Sequence, residues 1–123
     1  MPSKIPRPTE AELSILRILW RRGASTVREV VDASGPGTGY TTVLKMLQIM
    51  TEKGLVHCDN SLRTHVFRPT QPETQTQRQL VDDLMERAFG GSAHKLVLQA
   101  LSGSKPSPQE LAELRKLLNS FNK

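Results

Sequence analysis

Five residues of one short stretch carry the side chains best suited to chemistry with a partner. In "TGYTTVLKMLQIMTEKGLV", Thr38 to Val56, the residues Val43, Met46, Leu47 and Met50 form an apolar stripe at helical spacing. Tyr40, Thr41, Thr42, Lys45 and Gln48 project elsewhere. The Thr hydroxyls can bond phosphate oxygens or base edges, and their methyl groups suit a thymine methyl. Lys45 has no acidic residue four positions before or after it, and it fits a guanine edge or a phosphate. Gln48 can make two bonds to adenine, and Tyr40 can donate to a phosphate. A helix N-terminus at this point also favours an anion. The bland alternative is an ordinary core helix with a solvated back, on which Thr41 serves only as a cap.

Other constellations are weaker. His57, Cys58 and His65 fall on two short extended runs, and His57 could lie opposite His65. Cys58 should point away from His57 because strand side chains alternate, so no metal site is assigned. "SGPGTGYTT" lacks the Lys-Ser/Thr ending of a phosphate loop and follows no strand. Asp82, Asp83 and Glu86 read as a solvated helix face. No nucleophile–base set or paired acids appear, so the sequence assigns no catalytic residue, no cofactor and no enzyme activity.

The elements that must position the polar face are legible around it. An arm with three prolines in nine residues precedes Thr9 and Glu12, a capping box that opens a helix running to about Arg22. Leu13, Leu16, Leu19 and Trp20 are its expected buried stripe, and Gly23 ends it. Thr26 and Glu29 form a second box for a helix to about Ala33, burying Val27, Val30 and Val31. "SGPGTG" is a turn, and the third helix spans about Thr41 to Lys53 with Gly54 as its cap. Leu55 to Cys58 and Thr64 to Arg68 read as strands joined by Asp59-Asn60-Ser61. Three helices and a hairpin make a winged helix-turn-helix over residues 1–70, in which the helix after the turn enters the major groove. Arg63, at the wing tip, is a phosphate candidate, whereas Arg68, near the base, reads as structural.

Residues 71–123 read as a helical segment after a polar hinge at 70–77. One helix carries Leu80, Val81, Leu84, Met85, Ala88 and Phe89 and stops at Gly90-Gly91. A second runs from Ala93 to Leu101 with Leu96, Val97, Leu98 and Leu101. A third, opened by Ser107, Pro108 and Glu110, carries Leu111, Leu114, Leu117, Leu118 and Phe121. So short a segment rarely folds alone. A second copy is the simplest cover, the alternative being that these helices fold back on the first domain, and it makes Leu80, Leu84, Phe89, Leu96, Leu98, Leu101, Leu111, Leu114 and Leu118 the expected dimer interface. The fold class is thus mainly α, a winged-helix domain followed by a helical dimerisation domain.

The bulk numbers agree with a nucleic-acid partner. The 123 residues hold 17 Lys+Arg against 12 Asp+Glu, a formal net charge of +5. Residues 1–70 hold ten Lys/Arg and six Asp/Glu, and residues 71–123 seven and six, so the excess sits on the first part. Cys58 is the single cysteine, so no intrachain disulfide can form. No apolar run is long enough to span a membrane and the start lacks an apolar signal core. The expected setting is cytoplasmic, without stable membrane association.

Together, "PTEAELSILRILW", "GYTTVLKMLQIMTEKGLVHCD…RTHVFRP" and "GGSAHKLVLQAL…ELAELRKLL" resemble the BlaI/MecI/CopY family of bacterial repressors, also called the penicillinase repressor family. The resemblance spans about Pro8 to Leu118. It implies a cytoplasmic homodimer that binds a palindromic operator in double-stranded DNA and blocks transcription, with Tyr40, Thr41, Thr42, Lys45 and Gln48 at the reader positions. It also implies two routes of release. One is a cut within the dimer segment, set off by a membrane metalloprotease that senses β-lactams. The best-known members carry Asn-Phe at that cut, where this chain has Gln99-Ala100. The other uses copper and a C-terminal cysteine cluster, which this sequence lacks. The rival from another class is a winged-helix protein–protein interaction module without specific DNA binding.

Overall fold

The computed structural model describes residues 5–61 and 63–122, so residues 1–4 of the expected arm lie outside it. Its elements are α1 (Glu10–Arg22), β1 (Ser25–Thr26), α2 (Val27–Ser34), α3 (Tyr40–Lys53), β2 (Val56–Asp59), β3 (Val66–Pro69), α4 (Glu73–Ala88), α5 (Ala93–Gly103) and α6 (Pro108–Ser120). The chain divides into two compact units between Leu80 and Val81.

The first unit is a winged helix, as the alternation of elements predicts. Capping boxes open α1 and α2: Thr9 and Glu12 serve the first, Thr26 and Glu29 the second, each hydroxyl accepting from the third residue's N–H and each carboxylate from the cap's N–H. The strands form an antiparallel sheet in the order β1-β3-β2. β1 is an addition to the expected hairpin. It is two residues long, so no alternation could reveal it, and Thr26 serves both as sheet residue and as helix cap. The register sets His57 opposite Arg68 and Cys58 opposite Phe67. His57 therefore does not face His65, which precedes β3.

The core joins Ile15, Leu16, Ile18 and Leu19 of α1 to Val27 and Val30 of α2, Val43, Leu47 and Met50 of α3, and Leu55, Val56 and Phe67 of the sheet region. The α1 stripe differs from expectation. Leu13 and Trp20 are only half-buried, while Ile15 and Ile18 are buried, because α1 packs on both α2 and β3 and needs a wider apolar arc. Val31 is also half-buried. The Trp20 indole N–H donates to the Gln71 carbonyl at 3.1 Å.

The division at 80/81 falls later than the expected 70/71. The polar stretch after Thr70 is mostly helix, since α4 starts at Glu73. Its first half is tied into the winged helix: Thr76 is buried and its hydroxyl accepts from Gln71 Nε2 at 2.9 Å, and Gln79 Nε2 donates to the Ile5 carbonyl at 2.7 Å. These are side-chain bonds of polar residues, which hydrophobic periodicity does not report.

One ion pair holds the end of α3. Lys53 Nζ donates to Glu12 Oε2 at 2.8 Å, while Glu12 Oε1 accepts from the Thr9 N–H at 2.9 Å. Burial pushes the Glu12 carboxyl up, but the bond from Lys53, the bonds with Thr9 and the lysine charge outweigh it, and the pKa is lowered from 4.5. A depressed carboxylate pKa adds stability that is complete above its unfolded value and is lost as pH falls through the folded value. Glu12→Gln is therefore expected to destabilise the protein at neutral pH by about 1 kcal/mol, with the gap to wild type closing at acid pH, as thermal melts across that range would read. An equal gap at all pH values would detach the effect from ionisation.

In the second unit, Ser92 caps α5 by accepting from the Lys95 N–H at 3.1 Å, and Ser107 with Glu110 makes the third capping box, opening α6 with Pro108 in its first turn. Neither α5 nor α6 has a buried residue.

Candidate nucleic-acid interface

α2, the 35–39 turn and α3 form the helix-turn-helix. Gly35 and Gly37 lie at φ 86° and 91°, a region other residues rarely adopt, which is why the turn needs glycine there. α3 then begins at Tyr40, with Gly39 as its N-cap and no side-chain bond to its first turn. Thr41 is thus not the cap. No acidic residue lies in that turn, whereas α1, α2 and α6 each carry at least one there with a capping box. The open N–H groups and the uncompensated helix dipole favour an anion.

α3 separates its faces cleanly. Val43, Leu47 and Met50 are buried and Met46 is half-buried. Tyr40, Thr41, Thr42, Lys45 and Gln48 are all exposed, and Lys45 makes no ion pair among the described residues. Ile49 joins them, 39% exposed, one turn beyond Lys45. Ile49 has no place in the stripe of Val43, Met46, Leu47 and Met50, and its position one residue before Met50 turns it off that buried side. It supplies an apolar surface of the kind that meets a thymine methyl. Arg28 of α2 is a further residue missed, with its Cζ 5.1 Å from the Tyr40 ring centroid.

The wing stands on a short turn. Asp59 Oδ1 accepts from the Ser61 hydroxyl at 2.7 Å and from its N–H at 3.0 Å, and these bonds hold the Asp59 carboxyl below the usual range. Arg63 follows and is exposed. Arg68 is exposed too, alternating with buried Phe67, so it is a solvent-facing cation and not a packing residue.

Of the residues expected to cover one another between copies, Leu84, Leu98, Leu101 and Leu118 are exposed, the last at 61%. Leu80, Phe89, Leu96, Leu111 and Leu114 are half-buried. Val81, Val97, Leu117 and Phe121 are also exposed and were not in the expected set.

The penicillinase repressor family matches over residues 8–120. The chain belongs to that family. Similarity to the penicillinase repressor of Bacillus licheniformis reaches 24% identity over 117 residues, 94% of this chain and 91% of that protein. An uncharacterised 16.5 kDa protein of Latilactobacillus sakei is 20% identical over 114 residues, 91% of this chain and 78% of its own length. Among solved structures, the monomeric form of Bacillus licheniformis BlaI in complex with the blaP half-operator aligns with a TM-score of 0.50 and 25% identity, covering 58% of this chain and 89% of that one. The resemblance to BlaI/MecI/CopY repressors and the winged-helix class are thus borne out. In this chain Gln99 and Ala100 are exposed residues inside α5, and no described helix is long and apolar enough to cross a membrane.

Proposed function

We propose that this chain is a transcriptional repressor that sets α3 in the major groove of double-stranded DNA. The observation that carries this is the N-terminus of α3, uncapped and acid-free, leading into an exposed face of Tyr40, Thr41, Thr42, Lys45 and Gln48. Arg63 on the wing meets phosphate beside it. Two copies pair through the apolar faces of the second unit and read a palindromic operator, one half-site each. The BlaI structure, bound as a monomeric form to a half-operator, supports both the DNA partner and the division of the site into halves.

Mobility shifts of the full chain on its own upstream region and on unrelated DNA test this. Specific binding should weaken linearly in log–log form with salt, with a slope of about −0.9 per phosphate contacted. Equal, weak binding to both duplexes would favour the protein–protein module. Lys45→Ala should cost about 1–3 kcal/mol of operator binding and leave the melting temperature unchanged. Undiminished affinity would remove Lys45 from the interface.

For release, the reading carries a cut between Gln99 and Ala100 by a membrane metalloprotease sensor. Both residues are exposed but helical, so α5 must unwind locally before a protease can hold the backbone extended. Mass analysis after incubation with such a protease decides it, since an intact chain retires the cut.

A further inference from the structure

Arg28 lies in the first turn of α2 and Tyr40 in the first turn of α3, and the glycine turn between the helices brings them together. The Arg28 Cζ sits 5.1 Å from the ring centroid, within the range where a guanidinium is drawn to the negative face of an aromatic ring. Both side chains are exposed. The carboxylates near Arg28 in sequence leave it free. Glu29 is engaged by the Thr26 N–H at 2.9 Å and by Arg22 at 3.6 Å. Asp32, one turn along α2, makes no ion pair among the described residues. An arginine on a ring keeps the hydrogen-bonding edge of its guanidinium available, and that planar fork matches the oxygens of a phosphate.

We propose that Arg28 is a backbone-phosphate contact outside α3, and that Tyr40 is its positioning residue. This rests on the reading that α3 enters the groove, because the helix before the turn then lies across the flanking backbone. Tyr40 fixes the guanidinium through its ring, a role separate from any contact made by its phenolic hydroxyl. Sequence spacing assigned that hydroxyl to phosphate and gave Arg28 no role.

The test uses the full chain, a duplex from its upstream region and a duplex of unrelated sequence, each titrated with salt. Arg28→Ala should weaken binding to both duplexes by a similar factor and reduce the salt slope by about 0.9, leaving the preference between them unchanged. Tyr40→Phe, which keeps the ring, should lose much less than Tyr40→Leu. Tyr40→Leu should lose most of what Arg28→Ala loses, and the double substitution should cost little more than Arg28→Ala alone. Thermal melts establish that each variant is folded. An Arg28→Ala protein with wild-type affinity and slope overturns the contact while leaving DNA binding intact. Loss confined to the upstream duplex overturns the phosphate assignment in favour of a base contact. Tyr40→Phe as damaging as Tyr40→Leu overturns the positioning role. Failure of the wild-type chain to bind either duplex overturns the proposed function itself.

Discussion

Leu98→Glu combined with Leu118→Glu should convert the protein to a monomer and weaken operator binding by about 100-fold or more. Leu98 is 51% exposed on α5 and Leu118 61% exposed on α6, in a unit whose α5 and α6 bury nothing. Covering a leucine fully is worth about 1.5–3 kcal/mol, and two copies bring each site twice. A carboxylate at either position must instead be desolvated without a partner, which opposes association strongly. Loss of the dimer then removes the linkage between the two DNA-binding units, and each half-site must be held alone. Light scattering gives the mass, and a mobility shift gives the affinity. Binding to a single half-site should persist, because α3 is untouched. A variant that stays dimeric places the interface on another surface. A monomer with full operator affinity would instead remove the need for two linked readers.

The features that depend on neighbours in sequence were legible before the structure. Three helix starts follow from Thr9/Glu12, Thr26/Glu29 and Ser107/Glu110, because a capping box is closed within four residues. Gly54 ends α3 in the left-handed region at φ 83°, ψ 14°, as its place after Lys53 suggests. The exposed face of α3 was equally readable, since Val43, Leu47 and Met50 fix which side is buried. What the sequence hid depends on distant partners. Ile15 and Ile18 are buried because α1 has two neighbours. Glu12 and Lys53 meet across 41 residues, and Trp20 reaches Gln71 across 51. The Arg28–Tyr40 contact needs the turn geometry, and β1 exists only because β3 lies beside it. The start of α4 was obscured by composition, as "ETQTQRQ" is polar all round and its anchors, Thr76 and Gln79, are held by hydrogen bonds.

Leu47→Ala should destabilise the first unit by about 2–5 kcal/mol, the range for removing a buried leucine side chain. Leu47 is fully buried in an α3 that packs against both α2 and β2, so the cavity left by its removal closes poorly. Against a total stability of about 5–15 kcal/mol this is a large fraction, and each kcal/mol lowers the melting temperature by about 4–8 °C in a domain of this size. Helix propensity does not oppose the change, since alanine favours helix at least as well as leucine, so the loss reports packing alone. Operator binding should fall only as the folded fraction falls and recover on cooling. Lys45→Ala, two residues away on the exposed face, should do the reverse, keeping the melt and losing the DNA. The pair separates the two roles of α3, with Leu47 aiming the helix and Lys45 making the proposed contact. Wild-type melting in Leu47→Ala would mean that α3 is not seated on the core as the buried stripe indicates, and the orientation of its polar face would fall with it.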